Sequence, residues 1–397
     1  MNRIIAVLLI CALCVGLLLY NLFGVNQPEN PKDEPTKVTT ESKQAPSESQ
    51  KPSNPAQPDQ ELEPDSDVKI SVMNTNPDCQ AAWEQIAADY KKATGVEVEI
   101  VTDAEQRPTI FTVTSESEVD ASACLDLTDT VACTHLADIR LALTADNKVY
   151  GIATEVECFG LIYNKNLLAQ VATPEEITNI ESFSTVVHTL VDKGYTAFAG
   201  RGLNEGVAVR LASIPGSIQS FAKLWAETAA KDGEGTALER FVAGESVFYL
   251  GSSDEYDTIT AAGIDQLGIL PVYQDSDGTT NSEQALCVTT KGYWCVRSDV
   301  SQEETAAAKA FLDYLFTSTD DGQTPVDKLE LLAPYRTATY SANSLELTLR
   351  ESVRNGKSLL VCPAVEEVPE GFVDALMAYA QEPTDENWAI VHEILGR

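Results

Sequence analysis

From Asn26 to Asp67 the chain carries eight of its 18 prolines and no aromatic residue, and Ser, Glu, Gln and Lys dominate the rest. Such a segment cannot bury enough apolar surface to offset its ordering entropy, so it is expected to be a disordered, partly extended tether. The break divides the chain into an apolar leader and a body from Val68 to Arg397, in which any fold must be built.

The leader, Met1 to Val25, has one early positive charge, Arg3, and then an almost uninterrupted apolar run from Ile4 to Tyr20, with Leu22 and Phe23 beyond it. As a helix at about 1.5 Å per residue this run approaches the length that crosses a bilayer's hydrocarbon core, with Arg3 retained inside. It reads as an export signal or an anchor. Its length favours an uncleaved signal anchor over a signal peptide that is removed.

A chain of 397 residues with 44% hydrophobic composition can bury a large core, but beyond about 250–300 residues one core splits into two. Two lobes are therefore expected. Lys+Arg 27 against Asp+Glu 61 gives a net charge of -34, a field that repels phosphate backbones and anionic lipid. Nucleic acid is excluded as a partner on this ground. Seven cysteines fall in the body, Cys79, Cys124, Cys133, Cys158, Cys287, Cys295 and Cys362. An export route permits disulfides, yet the irregular spacing without CxxC reads mostly as small buried hydrophobes. Cys287 and Cys295 would face each other if Thr290-Lys291-Gly292 closed a three-residue hairpin.

Val68 to Asn74 is an apolar-rich run read as a buried first strand. Ala81 to Thr94 places Trp83, Ile86, Ala87 and Tyr90 at helical spacing and stops before Gly95. Val96 to Val101 alternates Val and Glu as a second strand. Strand, helix and strand in this order imply a parallel pair joined right-handedly. Further helices are expected over Ile180–Lys193, Ser217–Lys231, Glu303–Phe316 and, as two, over Phe372–Leu395. Strands are expected near Val247–Leu250 and Leu267–Tyr273.

Val149 to Leu168, VYGIATEVECFGLIYNKNLL, sets an acid and aromatics where an extended run turns into Tyr-Asn-Lys. With ALCVTTKGYWCVRSDVS around Trp294 and the Thr94-Gly95-Val96 element, it resembles the extracellular solute-binding proteins that feed carbohydrate importers of the ATP-binding-cassette type, particularly in Gram-positive bacteria. The resemblance implies an α/β fold of the type II periplasmic-binding-protein kind, with two α/β lobes joined by hinge crossovers around a ligand cleft. Lobe 1 would comprise 68–156 with 272–328, and lobe 2 would comprise 157–271 with 329–397. It further implies a monomer without cofactor or metal, presented to permease subunits at the outer face of the membrane. Lipidated members need a cysteine after a small residue, whereas Cys11 follows Ile10 and Cys14 follows Leu13. Lipoprotein and simply secreted forms remain the alternatives to the anchor.

Sugar binding needs carboxylates or amides for paired hydrogen bonds and aromatic faces for the apolar side of the ring. The resemblance places Glu157 in the cleft, and Glu155, two residues earlier, would point the same way along an extended strand. Asn74 closes the first strand, where parallel sheets present ligands. Tyr293 and Trp294 resemble a Tyr-Trp pair of the family, and Tyr256 and Tyr335 are further aromatic candidates. Tyr256 would stand in for a Gly-x-Trp-like platform that Gly251-Ser252-Ser253 lacks. Enzymatic constellations are poor, since His135, His188 and His392 form no HExxH and no nucleophile elbow exists. A tethered glycan hydrolase, or a sensor or adhesin with the same body, are the competing classes.

Overall fold

The computed structural model describes residues 68–114, 120–200, 205–214, 217–229, 235–275, 285–319, 322–362 and 369–396. The expected anchor (1–25) and tether (26–67) lie outside the described residues.

Strand β1 (Lys69–Met73), helix α1 (Gln80–Thr94) and strand β2 (Glu97–Val101) form the expected parallel unit, with Lys69 opposite Glu97 and Met73 opposite Val101. α1 buries Trp83, Ile86, Ala87 and Tyr90, and Gly95 at φ 80 ends it in the left-handed conformation that glycine adopts without strain. Strand β3 (Ile110–Val113) joins the other edge of β1, and β4 (Ala142–Ala145) hairpins into the long β5 (Lys148–Asn164). Helices α2 (Ile180–Asp192), α3 (Glu205–Ser213), α4 (Gln219–Thr228) and α5 (Ala237–Val242) follow. After them come β6 (Phe248–Ser252), α6 (Tyr256–Ala261), β7 (Leu267–Leu270) and β8 (Cys287–Val296). The chain ends with α7 (Gln302–Leu315), α8 (Ser344–Arg354), β9 (Leu360–Val361), α9 (Phe372–Gln381) and α10 (Asp385–Leu395).

The strands form one mixed nine-stranded sheet in the order β2-β1-β3-β8-β5-β4, with β6 and β7 paired to β5 and β9 paired to β8. Two strands change partners along their length. The N-terminal part of β5 pairs with β4 and its C-terminal part with β6 and β7, while β8 pairs with β3 at one end and β9 at the other. Along this shared ladder period-two alternation sorts side chains: Phe159, Leu161 and Tyr163 enter one core cluster, Cys158 and Ile162 the other. Gly160 is obligatory, because a Cβ there would run into the carbonyl of Leu270 on β7.

Three expectations need correction. Thr290-Lys291-Gly292 makes no hairpin; β8 passes straight through, so Cys287 and Cys295 sit near its opposite ends. The chain does not leave β7 at 272 for the packing of the first strands: β7 pairs antiparallel with β5, and Val272 and Tyr273 lie in the same cluster as α2 and α4. Nor does each half own one core. The main cluster runs from Trp83, Trp294 and Phe311 onto Tyr249, Ile259, Leu267 and Leu349, and the second is built by α2, α4, α9 and α10 against the other face of β5. Each fully buried large apolar side chain in these clusters contributes about 1.5–3 kcal/mol.

Candidate functional site

The midpoint of the β5–β8 ladder is irregular on both strands. Ala153 lies opposite Tyr293, Glu155 opposite Gly292, and Val156 opposite Thr290, so Thr154 on β5 and Lys291 on β8 are each left as an extra residue. One irregularity undoes the other, and beyond them Glu157 faces Thr289 in the original register. Bulges re-aim side chains and bend strands, and here they fall between the part of β5 that pairs with β4 and the part that pairs with β6 and β7.

The bulged Lys291 sends its ammonium to Glu155 Oε1 at 3.3 Å and to Asp254 Oδ1 at 2.9 Å. Asp254 belongs to a helical turn after β6, whose start is fastened by a reciprocal cap between Ser252 and Glu255. Burial works against the charge on Lys291, but the hydrogen bond it donates to Asp254 and the charges of Glu155 and Asp254 outweigh it and raise its pKa. Glu157, buried on β5, is paired with Arg210 of α3. Opposite Glu157 the buried hydroxyl of Thr289 has no hydrogen-bond partner among the described residues. A buried hydroxyl left in that state has capacity for one more partner.

A fourth carboxylate, Glu346 at the start of α8, feels the charges of Glu155 and Lys291; burial raises its pKa, and hydrogen bonds from Ala342 N and Asn343 only partly counter this. Tyr340, half-buried, lies within the fields of Glu330 and Glu346. The segment carrying Tyr340 runs beside β5: Val156 N donates to Leu332 O at 3.1 Å. Arg350 holds it by donating to Ala333 O and Tyr340 O, with burial pushing its guanidinium down to about 10. Asp327 accepts hydrogen bonds from Thr324, Thr339 and Tyr340 at 2.6–3.0 Å; burial opposes its charge, and these bonds prevail and lower its pKa. Two surface hollows, one against α1 and β2 and one between Gln219 and α10, share no residue with this set.

Of the residues singled out from sequence, Glu155, Glu157 and Tyr256 belong to this region. Tyr256 opens α6, half-buried, two residues beyond Asp254. The other four have protein partners. Trp294 meets Trp83 edge-on at 6.0 Å and Phe316 at 6.1 Å in the main core, and alternation turns Tyr293 the opposite way, beside Val113, Leu143 and Cys295. Tyr335 is fully buried, stacked on Phe316 at 3.7 Å with its hydroxyl donated to Ala153 O at 2.6 Å. Asn74 spends its amide on the turn into α1, donating to Gln80 Oε1 and accepting from Asn76 N. Packing and hydrogen bonds within the protein therefore engage these three rings and this amide. The sequence reading missed Lys291, Arg210, Asp254, Glu346 and Thr289, of which strand pairing brings Lys291 and Thr289 to the glutamates, and helices or a helical turn bring Arg210, Glu346 and Asp254. The one local signal was Lys-Gly inside an apolar run, which marks a bulge as readily as a turn.

The sequence profile of the bacterial extracellular solute-binding proteins matches residues 85–348. The chain belongs to this family. No curated protein sequence matches it. Among solved structures, the solute-binding protein is similar to apo RafE from Streptococcus pneumoniae at TM-score 0.61 and 14% identity, covering 86% of this chain and 98% of that one. RafE in complex with raffinose aligns at TM-score 0.51 and 15% identity over 83% of this chain and 98% of that one. A family 1 solute-binding protein from Alicyclobacillus acidocaldarius aligns at 0.60 and 14% over 83% and 98%. These likenesses establish the periplasmic-binding-protein-like fold, and the relatives are binding proteins.

Proposed function

We propose that this protein is the substrate-binding component of an importer of the ATP-binding-cassette type, which holds a neutral sugar or oligosaccharide between its two halves and hands it unchanged to a membrane permease. The observation that carries the reading is the pairing of carboxylate with cation at the midpoint of the crossing strands, Glu157 with Arg210 and Glu155 with Lys291. A sugar hydroxyl both donates and accepts. Beside such a pair it donates to the carboxylate and accepts from the cation, so both of its capacities are met without a net charge entering the site. Thr289 offers a further hydroxyl, and Tyr256 and Tyr340 the aromatic faces. RafE's complex with raffinose supports the same ligand class.

The two halves, 68–156 with the end of β8 and 157–271 with the C-terminal helices, close by bending at the bulged ladder. Closure is selected because ligand touches both halves only in the closed state, and its differential affinity supplies the shift. The protein acts as a monomer, held at the outer face of the membrane by residues 1–25 and spaced from it by 26–67.

A thermal-shift screen of the protein against mono- and oligosaccharides, amino acids and polyamines tests the reading. A saccharide at a hundred times its Kd stabilises by about 2.7 kcal/mol, with no turnover. Stabilisation by polyamines or amino acids alone, or release of hydrolysed glycan, overturns it.

A further inference from the structure

The seven described cysteines are thiols, and four of them stand as two sulfur-to-sulfur contacts at the two ends of β8. At one end, Cys124 forms an antiparallel bridge with Arg297, which places it diagonally across from Cys295 on the same face; Leu125 N donates to Val296 O and Ser298 N to Ala123 O on either side. The Cys124 and Cys295 thiols hydrogen-bond each other inside the small cluster with Val113, Leu143 and Tyr293. At the other end, Cys287 pairs with Leu360 of β9 in parallel register, and Cys362 lies two residues on, its N–H donated to Val288 O at 2.9 Å. Cys287 and Cys362 hydrogen-bond within the second cluster. Neither Cys79, whose thiol donates to Leu329 O at 3.3 Å, nor Cys133 nor Cys158 makes such a contact among the described residues.

We infer that Cys124–Cys295 and Cys287–Cys362 are two disulfide sites, oxidised when the protein is exported, and that each fastens a weakly held element to one end of the strand shared by both halves. Three observations carry this. The family is extracellular, where disulfides persist. Each pair is a set of diagonal neighbours on paired strands whose thiols share one face and one cluster, and a small backbone adjustment with side-chain rotation brings such sulfurs to the bond length of about 2.05 Å. The elements secured are those with the least of their own: β9 contributes two residues to the sheet, and Cys124 follows a three-residue helical turn, Ala121–Ala123.

The chemistry is exchange with an external disulfide of the thiol-oxidoreductase or oxidised-glutathione class. The thiolate of one cysteine attacks a sulfur of that disulfide and expels one external thiolate, forming a mixed disulfide. Its partner, having lost its proton, attacks the protein sulfur of the mixed disulfide and expels the second external thiolate. Two protein thiols are oxidised, one external disulfide is reduced to two thiols, and two protons pass to solvent or to the departing thiolates. All four sulfurs are buried in the folded protein, so the bonds form while the chain folds and are afterwards shielded from reductant.

Neither bond joins one half to the other. Each stays within its own cluster, so oxidation stiffens the ends of β8 and leaves its midpoint free to bend.

The test is peptide mapping of the full chain. It is recovered without reduction from an oxidising periplasm and, separately, refolded in a glutathione redox buffer, then denatured in N-ethylmaleimide and digested. The expected result is one peptide pair linking Cys124 to Cys295 and one linking Cys287 to Cys362, with every other cysteine alkylated. Cys295→Ser then leaves only the Cys287–Cys362 link, and Cys362→Ser only the Cys124–Cys295 link. Alkylation at all four cysteines in periplasmic protein, or links among Cys79, Cys133 and Cys158 in place of these, overturns the inference.

Discussion

The middle of the β5–β8 ladder and its flanks use the same two strands and opposite chemistry. At the flank, Trp294 and Ile152 face one another inside a dry core closed by Trp83 and Phe316, and the register is unbroken. Three residues away Lys291 stands out of register, shared between two carboxylates and one-third exposed. The flank has one low-energy packing. The middle is held in this arrangement by charged partners, Glu155 and Asp254 on Lys291, that water or a polar ligand can replace.

The contrast can be broken most sharply at the flank. Trp294→Ala should destabilise by about 4 kcal/mol, through lost burial plus the cavity left behind, and chemical denaturation measures it. If the loss is below about 1 kcal/mol, the ring is not the core element described. The buried pair comes next. Arg210→Met strands the Glu157 carboxylate and should cost about 3 kcal/mol, with Glu157→Gln added on top restoring part of it. A double variant no better than the single would mean that the pair is not coupled.

Lys291→Ala sharpens the other side. Its pairs are half-exposed, so stability should change by less than about 1 kcal/mol, while saccharide affinity falls roughly tenfold, the worth of one charge-assisted hydrogen bond. Calorimetric titration reads the affinity, and unaltered binding would remove Lys291 from the site. Tyr256→Ala is expected to behave similarly, with a smaller loss of affinity.

The smallest effect is a pH dependence. Burial raises the folded pKa of Glu346 above its ordinary 4.5, so its contribution to stability is present below that value and is lost as pH rises through the folded pKa. Asp327 runs the other way: its lowered pKa makes a contribution that is present above the ordinary 3.8 and lost as pH falls through the folded value. Melting temperatures of Glu346→Gln and wild type should therefore converge toward pH 4 and separate toward pH 7, with the variant higher. Parallel curves would show that Glu346 does not titrate in this range.

Much of the first parallel unit was legible in sequence. Helical spacing in α1 and alternation in β2 each point to one partner, and burial follows from the pattern alone. The middle was legible only as glutamates. Lys291 and Asp254 reach Glu155 through strand pairing across long stretches of sequence, and Arg210 reaches Glu157 from a helix whose own pattern gives no reason to single it out. At Trp294 the resemblance to a Tyr-Trp pair did not show that alternation sends the two adjacent rings to different faces, each packed against protein groups. The same limit hid the thiol contacts, since Cys124 and Cys295 meet through a bridge that no local spacing encodes.

The offsetting irregularities at Thr154 and Lys291 also bear on how this protein can change over generations. Deleting either residue by itself would slide half of a long strand by one position and turn its inward side chains outward, Trp294 among them. Losing both at once would leave a straight, regular ribbon that still folds and has less reason to flex. Length variation at this point is therefore expected only in matched steps on the two strands, which would couple the evolution of β5 to that of β8.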